Sequence, residues 1–186
     1  MQENIALVQN GFRILLPDMA GYICRELSRV YKNGWWQEVL TALSDQYDLP
    51  SSGEYAELQD SLDVANCLRL IDRRWNDVFR SKLSKDYRTW ATELMGVRNK
   101  VAHLGMQDIA QADAERALDT MARLCDGFDS DGAEEIRALY RKLRYGSEDA
   151  STSSAPAKET TPTGKSKTVA AVLGRHVGEN LPSWRD

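Results

Sequence analysis

The stretch Leu94–Gly105 reads LMGVRNKVAHLG, and inside it the hexapeptide RNKVAH sets Arg98, Asn99 and His103 close together. Arginine keeps its charge at any working pH and offers a planar fork of donors suited to phosphate. Histidine changes charge near neutrality and can therefore take and return a proton. Asparagine is both donor and acceptor. Together these groups suffice for RNA cleavage without a metal. The ribose 2′-OH attacks the neighbouring phosphate, His103 assists proton transfer, and Arg98 steadies the charge on the crowded phosphorus. No metal ligand set and no cofactor is called for.

The helical geometry constrains how these groups act. At about 100° per residue, Asn99 and His103 lie one turn apart on one face, while Arg98 and His103 differ by about 140°. Arg98 must therefore reach around the helix, or a second chain must complete the site. Val97, Val101 and Leu104 are expected to face the core, leaving Asn99 and His103 toward solvent or a cleft. Gly105 suits the left-handed position just past the helix end.

The apolar spacing is helical almost throughout. Ile5, Val8, Phe12, Leu15, Met19, Tyr22, Ile23, Leu27 and Val30 recur at helical steps over 4–31, and Asn33-Gly34 marks a break. A short pattern follows from Trp35 to Leu43, then the loop DLPSSG at 48–53. Leu58, Leu62, Ala65, Leu68, Ile71, Trp75 and Val78 give one stripe over 56–82. Tyr87, Trp90, Leu94, Val97, Val101 and Leu104 give another over 86–104. Asp108 is placed to cap a helix running to about 126. Asp131 and Glu134 have the spacing of a capping box for the last helix. No segment alternates with period two. The body, 1–145, is expected to be an all-α bundle of five or six helices.

From Gly146 the composition changes. Residues 146–168 contain no aromatic and no aliphatic side chain larger than alanine, the signature of a flexible linker. Residues 169–186 regain apolar side chains and read as the start of a following region. The tail holds five basic and five acidic residues, so the net charge of −4 falls on 1–145. There is no basic excess to draw nucleic acid by bulk charge; such binding would rest on a local patch. Arg73 and Arg74 are candidates for that RNA contact. Asp72, on the helix before the motif, could approach Arg98 or His103 as an orienting acid, although a surface carboxylate is the commoner outcome. Trp35, Trp36, Trp75 and Trp90 could stack bases, but core packing is favoured. The TGKS at 163–166 ends like a phosphate-binding loop, yet position 159 is Glu where that loop needs Gly, so nucleotide binding there is rejected. His176 has no companions of metal-binding type.

Cys24, Cys67 and Cys125 are scattered, which argues for small core residues in a reducing compartment. No stretch approaches the roughly 20 apolar residues of a membrane span, and the N-terminus lacks a signal-peptide pattern. A cytoplasmic location is expected.

Three stretches, LDVANCLRLIDRRWNDVF at 62–79, YRTWATELMGVRNKVAH at 87–103 and DAERALDTMARLCDGF at 113–128, carry a resemblance. Over about 1–145 the chain resembles the HEPN superfamily, and within it the Swt-like branch. These are small α-helical domains with Arg, a polar residue, three variable residues and His near a helix end. The resemblance implies an endoribonuclease that dimerises, so that two copies of the motif, Arg98, Asn99 and His103, line one cleft. It also implies an ATPase region beyond 186, as in large bacterial proteins linked to phage defence. A second implication is a non-catalytic module that binds RNA or protein, dimerises, and regulates the attached domain.

Overall fold

The computed structural model describes residues 3–45, 48–104, 107–128 and 131–146. The expectations for Gly105, for the linker beyond Gly146, for 163–166, for His176 and for 169–186 lie outside the described residues. Within them the chain is all helix. The elements are α1 (Glu3–Tyr31), α2 (Trp35–Ala42), α3 (Tyr55–Asp60), α4 (Val64–Arg73), α5 (Lys85–His103), α6 (Gln111–Asp126) and α7 (Gly132–Tyr145). A 3₁₀ turn, Lys32–Gly34, joins α1 to α2, and a π-helical turn, Trp75–Phe79, follows α4.

Helix α1 is the axis of the bundle. Its 29 residues run about 43 Å at 1.5 Å per residue. Ile5, Val8, Phe12, Leu15, Met19, Ile23 and Leu27 are buried at the spacing read from the sequence. The hairpin α6–α7 and helix α4 both pack against this axis. Gly11 lets α6 approach closely. A Cβ there would stand 2.8 Å from both Leu118 Cδ2 and Met121 Sδ, too close for either to stay in place. The break at Asn33-Gly34 is made by the residue before it: Lys32 takes a left-handed conformation (φ 54°) and turns the chain into α2.

The single stripe expected over 56–82 is divided into three elements. Asp63 takes an extended conformation, and its carboxylate accepts a hydrogen bond from the backbone N–H of Asn66, which starts α4 afresh. Beyond Arg74 the chain widens into the π turn, which buries Trp75, Val78 and Phe79. Two caps differ from expectation. Asp108 does not cap α6, whose N-cap is Ala110. Instead its two carboxylate oxygens accept from the N–H groups of Asn4, Ile5 and Ile109, clamping the first turn of α1. Asp131 is the N-cap of α7 but makes no side-chain cap. Glu134, its presumed partner, is drawn to Arg141 at 2.8 Å and to Arg137.

The cysteines are core residues, as their scatter suggested. All three are buried; burial pushes the Cys24 thiol up to about 12 and the Cys67 thiol well above its ordinary value. No helix among the described residues is long and apolar enough to cross a membrane. Trp35, Trp36 and Trp75 are buried, and Trp36 Nε1 donates to the Pro50 carbonyl at 2.8 Å. Trp90 is half-buried, edge-on to Tyr87 with centroids 4.9 Å apart.

Candidate active site

Helix α5 carries the motif, and it packs on α4 and α6 at the outside of the bundle. Of its 19 residues only Ala91 and Leu94 are fully buried. Val97, Val101 and Leu104, expected inward, are half-buried. The reason lies in the layering: α5 covers a seam between two helices, so it contributes a narrow contact line rather than a wide apolar face. Its outer face is exposed. Thr92, Gly96, Asn99 and His103 follow one another at steps of four, three and four, and all are open to solvent.

Within the motif the structure brings Arg98 and Asn99 together and leaves His103 apart. Arg98 Nη1 donates to Asn99 Oδ1 at 3.5 Å, a long hydrogen bond. The other end of the guanidinium turns toward α4, with Nη2 3.9 Å from Asp63 Oδ2. His103 stands exposed in the last turn, and among the described residues its ring makes no ion pair or hydrogen bond. The 140° separation predicted from helical arithmetic is thus visible. Arg98 leans to the α4 side while Asn99 and His103 continue the outer ridge.

The remaining candidates lie elsewhere. Asp72 pairs with Arg88 at 2.7 Å. The helices α4 and α5 are antiparallel, but Arg88 precedes Arg98 by ten residues and His103 by fifteen, about 15 and 22 Å along the axis. The structure therefore does not bring Asp72 to either motif residue. Arg73 is bound to Asp45 through both guanidinium ends, at 2.7 and 3.1 Å, and to the Ala42 carbonyl. That contact holds the Asp45 carboxyl down to about 2. Arg74 reaches the Glu38 carboxylate at 2.7 Å and the Glu38 carbonyl at 3.0 Å. Both arginines tie α4 to α2 and its following turn, away from the end of α5.

Two further ion pairs flank the motif helix on the α6 side. Lys100 meets Asp113 at 2.6 Å, and Arg116 meets Glu93 at 2.6 Å. The hydrogen bonds from Arg116, with one from Thr120, hold the Glu93 carboxyl below its ordinary value. Lys100 is thereby committed, and Arg98 is the motif cation with the looser partner. Sequence reading missed Asp63, although an Asp immediately before an apolar helical run is a helix-start signal. Among the described residues no three His, Cys, Asp or Glu side chains converge as a metal site would require.

The arrangement offers an arginine and an asparagine in contact, a histidine one turn onward, and an open helix face around them. Such a face can present a phosphate-binding cation and an unhindered imidazole to an extended polyanion. It can also meet its own copy. No curated protein and no solved structure shows significant similarity to the chain. The family model described as Swt1-like HEPN matches residues 10–129, from α1 to the end of α6. The chain belongs to the Swt1-like HEPN family.

Proposed function

We propose that this domain is a metal-independent endoribonuclease that works as a homodimer through α5. The observation that carries the reading is the exposure of Asn99 and His103, with Arg98 against Asn99, on a helix that buries only Ala91 and Leu94 among its 19 residues. A long helix with so little intrachain burial leaves its motif face for substrate and for a second copy. The 2′-oxygen attacks phosphorus, the O2′–P bond forms and the P–O5′ bond breaks. One His103 takes the 2′-OH proton, and a second imidazole, His103 of the other copy, delivers a proton to the departing 5′-oxygen. Arg98 binds the phosphate and stabilises its extra charge, and Asn99 holds Arg98 or the phosphate in place. The products are a 2′,3′-cyclic phosphate and a 5′-hydroxyl. The wider setting, an ATPase region beyond 186 and a part in phage defence, rests on resemblance, and a cytoplasmic location rests on the scattered, buried cysteines.

The direct test is incubation of purified protein with mixed RNAs in EDTA. Cleavage with cyclic phosphate ends, lost in His103→Ala, is the expected result. Intact RNA at high protein concentration, or equal cleavage by the variant, refutes it.

A second reading has its own observation. No side chain among the described residues orients the His103 ring, and Arg98 leans toward Asp63. A module that dimerises or binds RNA without turnover, regulating an attached domain, needs no oriented imidazole. Equal RNA binding and dimerisation by wild type and His103→Ala, with cleavage by neither, would favour this module.

A further inference from the structure

Beside Arg98, between α1, the start of α4 and the end of α5, lies an open groove of about 340 Å³, within the range of small-ligand pockets. Phe12 and Leu16 of α1, Val64 of α4, and Val101 and Ala102 of α5 make an apolar floor. Three polar side chains also line it: Gln9, Asp63 and Arg98. A mainly apolar groove lined also by one cation and one carboxylate is the complement of a nucleotide. The floor takes the base, Arg98 the phosphate, and Asp63 the polar edge of the base.

We propose that this groove is a nucleobase subsite selective for guanine, and that Asp63 is its specificity-determining residue. The proposal rests on Arg98 being the phosphate-binding residue of the nuclease reading. The choice of base follows from Asp63. Its carboxylate accepts hydrogen bonds and donates none. Guanine presents two adjacent donors, N1–H and the N2 amino group, on its Watson–Crick edge. Adenine and cytosine each set a ring-nitrogen acceptor beside the amino group, and uracil sets carbonyls on both sides of its single N–H. Only guanine meets a carboxylate with paired donors. The carboxylate is also held in place beforehand. One oxygen, Oδ1, accepts from the Asn66 N–H at 2.7 Å, which fixes it at the start of α4; the other, Oδ2, lies 3.9 Å from Arg98 Nη2, and the side chain is 57% exposed. Gln9 extends the polar edge from the α1 side with a donor and an acceptor. The groove continues directly into the motif, since Arg98 belongs to both.

The test is binding of 3′-GMP, 3′-AMP, 3′-CMP and 3′-UMP to the chain, followed by amide shifts in NMR. We expect 3′-GMP to bind about tenfold more tightly than the others, the discrimination of one good bidentate base contact. Its shifts should centre on Val64, Arg98 and Val101. Asp63→Asn retains a good helix cap and should bring 3′-GMP to the level of the other three. Ala102→Leu, at an exposed position, should weaken all four by filling the floor. Thermal melting checks that both variants are folded. Equal affinities for the four nucleotides, a preference that survives Asp63→Asn, shifts mapping elsewhere, or no binding at all would each overturn the subsite. The readout is independent of turnover: a guanine preference without RNA cleavage would sink the nuclease reading and leave the subsite standing. Cleavage without base preference would do the reverse.

Discussion

Helices α1 and α5 are both long and amphipathic by spacing, yet α1 buries twelve residues and α5 two. The contrast separates two jobs. α1 is surrounded by α2, α4, α6 and α7, and its side chains are fixed by their neighbours. α5 is supported from one side, and its outer ridge of Thr92, Gly96, Asn99 and His103 is exposed, with Asn99 accepting from the adjacent Arg98. Burial is concentrated on the first helix, and the second carries the motif for which chemistry is proposed. A bundle can keep such a ridge exposed only if some other helix supplies the burial.

The strongest challenge to this division is His103→Ala. It should lower RNA cleavage by about 10² to 10⁴-fold, the usual contribution of a general acid or base, with the melting temperature unchanged. A large loss of stability instead would mean that α5 is core after all. Next comes Leu15→Ala on α1, fully buried, which should cost about 2–5 kcal/mol in denaturant unfolding. Val97→Ala, half-buried on α5, should cost well under that figure, and equal losses would erase the contrast. Gly96→Ala sharpens it in the opposite direction. A Cβ at Gly96 meets nothing within 4 Å, so within one chain alanine should raise stability by about 0.5–1 kcal/mol. If a second copy packs along this ridge, Gly96→Trp should shift the chain toward monomer in sedimentation while leaving its helical content intact.

The smallest effect is at Asp108. Burial alone would push its carboxyl up, but the N–H groups of Ile5, Asn4 and Ile109 outweigh that and hold it below the ordinary 3.8. A lowered folded value means that the clamp contributes above the ordinary value and is lost as pH falls through the lowered one. Asp108→Asn should therefore melt below wild type at pH 6, and the gap should close as the pH falls below the ordinary 3.8. A gap that stays constant would show that the clamp does not depend on the charge.

Much of this was legible in the sequence because it is local. The period of apolar residues gives helices, and Arg98, Asn99 and His103 stand out as candidates by type and spacing. The 140° offset of Arg98 from His103 is simple geometry, and the structure reproduces it. What was not legible depends on which helix stands where. The half-burial of Val97 and Val101 follows from α5 lying over a seam, which periodicity cannot reveal. Asp72 chose Arg88 because the antiparallel register of α4 and α5 sets 72 beside 88, far from the motif end. Asp131 and Glu134 had capping-box spacing, but Glu134 had arginines within reach at 137 and 141. Asp63 was hidden inside an apparently continuous stripe, since the apolar residues on either side kept helical phase across the break.

The clamp at Asp108 also has a dynamic consequence. First turns of terminal helices ordinarily fray, and their amides exchange with solvent quickly. Here the amides of Asn4 and Ile5 donate to a residue just beyond the end of α5, more than a hundred positions along the chain. Fraying of the first turn and release of Asp108 become one opening event. A ligand that holds Asp108 in place should therefore slow deuterium uptake at Asn4 and Ile5, making those two amides reporters of a segment more than a hundred positions away.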